Sequence, residues 1–386
     1  MSACGNDLLQ PLPVWRRAVL KVGSNLLAAD GGGLTSRHAE ALAGFIASSH
    51  AEGCQVVLVS SGAVAAGRAL LHAREAPGRD LAARQAMAAL GQAPMIGLWQ
   101  SLSARPVAQV LLTHDDLRNR RRYLNARSTL HGLLALGALP VVNENDTVAV
   151  DELKLGDNDN LAAIVAALVD ADLLLIASDV DALYNADPRR EVRAVPITRV
   201  DSVTPEVMAM AGGSGSAVGT GGMRTKLEAA EKAGAAGIPT ALFDGRDAAT
   251  VRALAQGRLR GTLVCAPHGR MQARKYWLLH APVGSGRICI DTGAARALGQ
   301  GRASLLPGGI LAAEGEFQRG DLVEIVDTEE RRVARGLSQY AAVEVRRLIG
   351  RHSREIESLL GYSHGAEVVH RDDLANLPDQ RQPDTV

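Results

Sequence analysis

One glycine-rich passage in this 386-residue chain has the makings of a phosphate cradle. Gly212-Gly213-Ser214-Gly215 runs into Gly219-Thr220-Gly221-Gly222-Met223-Arg224-Thr225-Lys226, and an Ala-rich helical pattern follows. Glycines let backbone N–H groups converge on an anion, and a lysine where the helix starts adds a full charge. The passage matches neither G-x-x-x-x-G-K-[ST] nor G-x-G-x-x-G, because the last position counted from Gly213 is Val218 and from Gly219 is Arg224. A flexible linker explains Gly212–Ser216 but not Met223–Lys226. Lys21 is a second candidate, since it ends an apolar run and is followed by Gly23-Ser24-Asn25. Such a lysine can clamp a phosphate; alone, it reads as well as an edge lysine with its stem on apolar surface.

Three further blocks carry polar groups where an apolar core would not need them. Ser60-Ser61-Gly62-Ala63 offers hydroxyls and free amides to an anion, although in isolation an ordinary N-cap explains it better. Asn143-Glu144-Asn145-Asp146 and Gly156-Asp157-Asn158-Asp159-Asn160 are costly unless they bind something polar, and they favour an amine-bearing substrate over a turn with an Asx cap. Their spacing is not that of an EF-hand loop. Ser178-Asp179, with Asp181-Ala182-Leu183-Tyr184 and Asp187-Pro188-Arg189 behind it, suits a nucleotide, and turn chemistry explains it nearly as well. His114, His131 and the Cys265/His268/His280/Cys289 group match no common zinc spacing.

Those blocks need a frame. Apolar runs at Ala18–Val22, Gln55–Ser60, Val107–Leu112, Leu139–Asn143, Leu173–Ala177 and Thr240–Phe243 predict buried strands. Helical patterns lie between them at Ser36–Glu52, Leu81–Leu102, Tyr123–Leu136, Leu161–Val169 and Lys226–Ala236. This alternation predicts an α/β domain with a mainly parallel sheet covered on both faces. Ligands then bind at the carboxyl ends of strands, where the polar blocks fall.

After Ala266-Pro267-His268-Gly269 the texture changes. Short strands are predicted at Ile288–Ile290, Ser304–Leu306, Leu322–Val326 and Arg332–Gly336, with one helix over Ala342–Ile349. The expected organisation is an arm over 1–17, an α/β domain over 18–265, a linker over 266–284, a small β-rich domain over 285–362 and a tail over 363–386. Apolar residues make up 47% and charged residues 22%, which is a packed globular composition, and 42 basic against 42 acidic residues leave no bulk charge for nucleic acid or anionic membrane. No apolar stretch reaches the ~20 residues of a membrane span. Four dispersed cysteines without C-x-x-C pairing point to a reducing compartment.

Taken together, the blocks resemble the amino acid kinase family. The resemblance runs in order from Val19-Leu20-Lys21-Val22-Gly23-Ser24 through 59–67 and Tyr123-Leu124-Asn125-Ala126-Arg127 to 142–146, 156–160 and 219–226. It is similar in particular to the branch that phosphorylates the γ-carboxylate of glutamate at the start of proline biosynthesis. The C-terminal part, with Ser304-Leu305-Leu306-Pro307 and His352-Ser353, resembles a PUA domain. What the resemblance implies is a three-layer αβα sandwich with a mainly parallel sheet, plus a small β-rich PUA-like domain. It makes Lys21 and Lys226 the phosphate-binding, catalytic lysines, and Ser61, Asp146 and Asn158 the contacts to L-glutamate. It assigns ATP to Lys21, Ser178, Asp179, Thr220, Gly221, Gly222, Met223, Arg224, Thr225 and Lys226. It also implies Mg²⁺ held mainly on phosphate, proline as inhibitor, a homo-oligomer, no membrane, a cytoplasmic location and channelling to glutamate-5-semialdehyde dehydrogenase.

Two positions depart from the family pattern: Ser178 stands where Thr is common, and Ala182 where Gly is common, so a stiffer nucleotide loop is expected. One rival is a kinase of the same fold acting on carbamate, aspartate, acetylglutamate or UMP. Another is an RNA-binding protein whose face would be Arg331, Arg332, Arg335, Arg346, Arg347 and Arg351, although the acids at 321–330 favour a solvated mixed surface.

Overall fold

The computed structural model describes residues 9–28, 33–71, 81–149, 158–188, 191, 193–211, 222–269, 278, 286–301 and 303–377, the side chains of 118 and 120 excepted. The chain divides into two compact units, Met1–Asn119 with Asn125–Gly269, and Arg120–Leu124 with Arg270–Val386. No helix among the described residues is long and apolar enough to cross a membrane.

Strands of the first unit are β1 (Leu9–Pro11), β2 (Arg17–Val22), β3 (Gln55–Ser60), β4 (Val107–Leu112), β5 (Leu139–Glu144) and β6 (Leu173–Ser178). They continue as β7 (Leu183–Tyr184), β8 (Pro196–Ile197), β9 (Arg199–Val200), β10 (Thr240–Asp244), β11 (Arg258–Arg260) and β12 (Thr262–Val264). Eight of them form one sheet in the order β4-β5-β3-β2-β6-β10-β12-β9. Every pairing in it is parallel except that of β10 with β12.

The two-residue period of a strand decides what each face carries. Ala18, Leu20 and Val22 of β2 join Leu42, Phe45 and Ile46 of the Ala39–Ala51 helix in a buried core that includes Met95, Trp99 and Phe243. Val19 and Lys21 therefore face the other side, where the Asn158–Leu168 helix packs on β2 and on the Met223–Ala235 helix. The lysine thus meets the first turn of that helix.

Two helices approach each other through glycine. A Cβ on Gly67 would lie 1.9 Å from the Met87 carbonyl oxygen, and one on Gly91 would lie 1.7 Å from that of Ala63. The Ala63–Leu70 helix, which starts directly after the Ser60-Ser61-Gly62 turn, is held by this contact with the Leu81–Leu102 helix. The Tyr123–Arg127 block has a structural task as well. Arg127 donates to Asp170 Oδ2 at 2.6 Å, securing a residue with a left-handed φ of 53° just before β6.

Several elements differ from expectation at the chain ends. Residues 9–17 are not a loose arm: β1 pairs antiparallel with β11, Gln10 donates to the Thr198 carbonyl at 2.6 Å, and Trp15 packs on Phe45. In the second unit, β13 (Arg287–Ile290), β14 (Ile310–Glu314), β15 (Leu322–Val326), β16 (Arg332–Leu337) and β17 (Leu374–Asn376) form a sheet in the order β14-β13-β15-β16-β17. Strand β17 lies within the stretch expected to be a tail, because β16 offers it a free edge. Ser304–Leu306 is not a strand; only Leu305 bridges to Val369. Residues 378–386, also assigned to the tail, lie outside the described residues.

The glycine contact yields a paired test. Gly91→Ala should destabilise the protein by about 3 kcal/mol, because backbone stands where the methyl must go. Gly97→Ala, in the same helix with nothing within 4 Å, should stabilise by about 0.5–1 kcal/mol through helix propensity. Denaturant unfolding of both variants measures the difference.

Candidate active site

The carboxyl ends of β2, β3, β5 and β6 converge on one buried cluster of charge. Lys21 Nζ lies 2.6 Å from Asp159 Oδ1, and Lys226 Nζ lies 3.3 Å from Asp159 Oδ2. Asp159 is 1% exposed and each lysine 6%. Thr225 Oγ1 donates to Asp159 Oδ2 at 2.8 Å, with the Gly222 carbonyl as the alternative acceptor at 2.9 Å, tying the start of the Met223–Ala235 helix to the same carboxylate. Asp159 also sits in the first turn of its own helix, where the dipole favours negative charge. Burial alone would push its carboxyl up, but the Lys21 and Lys226 charges and the bonds from Lys21 and Thr225 outweigh burial and hold it at about 2. Each ammonium has three N–H groups and spends one on Asp159, so donors remain for an anionic ligand.

Beside this lies a neutral network. Asn158 Nδ2 donates to Ser61 Oγ at 2.8 Å and to Asn143 Oδ1 at 3.0 Å. Ser60 Oγ accepts from the buried Trp99 Nε1 at 2.8 Å, which fixes the end of β3 from below. Gly62 takes a φ of 108°, and a side chain there would be strained in that conformation. Hence Ser61, at the turn, presents its hydroxyl to Asn158.

On the far side of β2, Asn25 donates to Asp179 Oδ2 at 3.0 Å, and Ser178 Oγ donates to Asp179 Oδ1 at 3.3 Å. Burial raises the Asp179 carboxyl, but the Asn25 bond, a backbone bond and the charges of Lys226 and Arg246 leave it lowered. Ala182 is buried without a positive φ, so no glycine is needed there. Asp146 follows β5 and is half-buried; burial pushes its carboxyl up, with Arg84 and a backbone bond opposing.

The structure therefore brings Lys21 and Lys226 together, and Ser61 with Asn158. Gly222 caps the Met223–Ala235 helix, placing Met223, Arg224 and Thr225 in its first turn. Thr220 and Gly221 lie outside the described residues, as does Asp157. Asn143 and Asp159 lie in blocks marked from sequence but had no individual role there, and Trp99 was not singled out. For Asp159 a signal existed: two lysines in an apolar site require a buried counter-charge, and Asp159 opens the helix that packs on both. Nothing in the sequence marks Trp99.

This sheet and site are those of a family of phosphate-transferring enzymes. The amino acid kinase family model matches residues 16–244, and the PUA domain model matches 286–360. The chain belongs to the amino acid kinase family. It is 67% identical to the glutamate 5-kinase of Xanthomonas oryzae pv. oryzae over 362 residues, 93% of this chain and the whole of that protein. It is 64% identical to the glutamate 5-kinase of Xylella fastidiosa over 375 residues, 95% of this chain and 97% of the relative. A solved UMP kinase from Bacillus anthracis superposes with a TM-score of 0.48 at 18% identity, covering 66% of this chain and 97% of its own.

Asp159 gives a pH-dependent prediction. Its carboxyl lies near 2 when folded against an ordinary 3.8, so its stabilisation is present above the ordinary value and lost as pH falls towards 2. Asp159→Asn should lower stability at neutral pH by about 3 kcal/mol, because two ammonium groups lose their counter-charge. Denaturant titrations of both proteins should show that gap narrowing as pH falls from about 4 to about 2. A gap constant over that range would contradict a charged Asp159.

Proposed function

We infer that the chain transfers the γ-phosphoryl group of ATP to the γ-carboxylate of L-glutamate, giving L-glutamyl 5-phosphate in the first step of proline biosynthesis. The observation that carries this reading is the 67% identity to a glutamate 5-kinase across the whole of that relative. The site chemistry supports it. A carboxyl of reference pKa about 4.3 is already ionised at neutral pH, so it attacks phosphorus without a general base. One carboxylate oxygen bonds to the γ-phosphorus, the bond to the β–γ bridging oxygen breaks, and ADP leaves.

The barrier lies in charge crowding and alignment. Lys21 and Lys226 would meet the charge on the transferred group, with Asp159 holding both ammonium groups in place. Ser61 and Asn158 would orient the glutamate, and Asp146 would take its ammonium. Ser178, Asp179 and the 220–226 segment would hold the nucleotide. The Asp159 carboxylate is taken by ammonium groups, so a Mg²⁺ would be carried mainly on the phosphates, where it would neutralise phosphate charge.

Proline shares glutamate's α-carboxylate and nitrogen but lacks the nucleophile, which makes it a natural inhibitor at the same pocket. The product is a reactive acyl phosphate, which favours direct hand-over to glutamate-5-semialdehyde dehydrogenase in the cytoplasm. An RNA-binding role for the PUA unit draws less support, because four of the six arginines of its candidate face are engaged by acids. Arg331 pairs with Asp327 at 2.7 Å, Arg332 and Arg335 with Glu324 at 3.4 and 3.5 Å, and Arg346 with Glu316 at 3.2 Å.

With Mg²⁺, glutamate-dependent ADP release should accompany hydroxamate formation when hydroxylamine is present. Turnover of UMP or another acid, with none of glutamate, would assign the site to a different kinase of the fold. Lys21→Ala and Lys226→Ala should each lower kcat by about 100-fold or more; near-normal kcat would remove that lysine from the chemistry. Asp146→Asn should raise the KM for glutamate and weaken proline inhibition together. Proline inhibition surviving that substitution undiminished would place its site elsewhere.

A further inference from the structure

A cleft of about 240 Å³ opens between the Ala39–Ala51 helix, the end of the Leu81–Leu102 helix and Leu139 at the start of β5. Ala43, Ile46, Trp99 and Leu102 make its lining largely apolar, and His50 and Arg105 complete it. No carboxylate is among the lining residues. Arg105 Nη1 donates to the Gly137 carbonyl at 3.2 Å, which holds the side chain in place and leaves further N–H groups of its fork. The half-buried His50 imidazole has its pKa lowered by burial and by the Arg105 charge, so the corner holds one guanidinium and a neutral imidazole able to donate an N–H.

An apolar pocket with one basic corner and no acid is complementary to an amphipathic anion. We propose that this cleft binds a small carboxylate with an apolar body, the carboxylate on Arg105 and His50 and the body against Ala43 and Leu102, above the buried Ile46 and Trp99. The cleft is not lined by any residue assigned above to glutamate or ATP. It nevertheless shares a wall with them. Trp99 Nε1 donates to Ser60 Oγ at 2.8 Å, Ser60 precedes Ser61, and Ser61 accepts from Asn158 at 2.8 Å. A ligand seated over that buried indole is therefore felt at the Ser60-Ser61 turn.

The test uses the full-length protein and phenylacetate as probe, with phenylacetamide as its uncharged match, followed by calorimetry and ligand-observed NMR. Phenylacetate should bind saturably at one site without displacement by glutamate, and the amide should bind about tenfold more weakly or worse. Arg105→Gln should weaken phenylacetate by a similar factor, and Ala43→Leu, which fills the cleft and leaves both bases in place, should abolish binding. Saturating phenylacetate should also change the KM for glutamate in the wild-type protein. Absence of saturable binding, equal affinity for the amide, displacement by glutamate, or binding indifferent to both substitutions would each overturn the proposal; an unchanged KM would overturn the coupling. The binding measurements need no turnover, so they stand apart from the identity of the phosphorylated substrate.

Discussion

Two ammonium groups sharing one carboxylate, almost closed off from water, set the terms for the first unit. Lys21, Asp159 and Lys226 come from a strand and two helices far apart in the chain. Each would be costly to bury alone, and together they are tolerable only with close geometry. That constraint requires β2, the Asn158–Leu168 helix and the Met223–Ala235 helix to meet at fixed positions. The packing of those two helices on each other and on the sheet supplies this, with Thr225 as a further tie.

A site held this way has a particular chemical character. Its charge is arranged before any ligand arrives, so little reorganisation is needed as negative charge moves through it. Since Asp159 is occupied by the lysines, it fixes both ammonium groups and is a poor proton acceptor, in keeping with its lowered pKa. Beside it lies a separate neutral network, in which Asn158 bonds to both Ser61 and Asn143 and Trp99 steadies the strand end below. Asn158 and Asp159 are adjacent, so one helix start serves both networks.

The second unit follows a different logic. Its five-stranded sheet surrounds a core of residues such as Ile288, Ile325, Tyr340 and Val345. Much of its basic surface is matched locally by acids: Glu324 alone takes two arginines across the β15–β16 pair. Exposed pairs of this kind add little stability, but they reduce the field available to a polyanion.

The sequence by itself determined six of the sheet's eight strands, all but β9 and β12, and the order of the polar blocks, because both are local. Runs of Val, Leu and Ile long enough for one strand, separated by helical periods, place β2, β3, β4, β5, β6 and β10 within a residue of their observed ends. It also singled out the polar blocks, since Asn, Asp and Gly clustered at apolar strand ends have few structural uses. The strands β1 and β17 were not legible: Leu9–Pro11 and Leu374–Asn376 pair only because distant partners, β11 and β16, present free edges to them. Nor could periodicity tell which acid in 157–159 faces the lysines, or that Trp99 reaches Ser60. Those were decided by tertiary structure, because a buried ion pair or an indole hydrogen bond depends on the meeting of segments more than a hundred residues apart, or nearly forty in the case of Trp99.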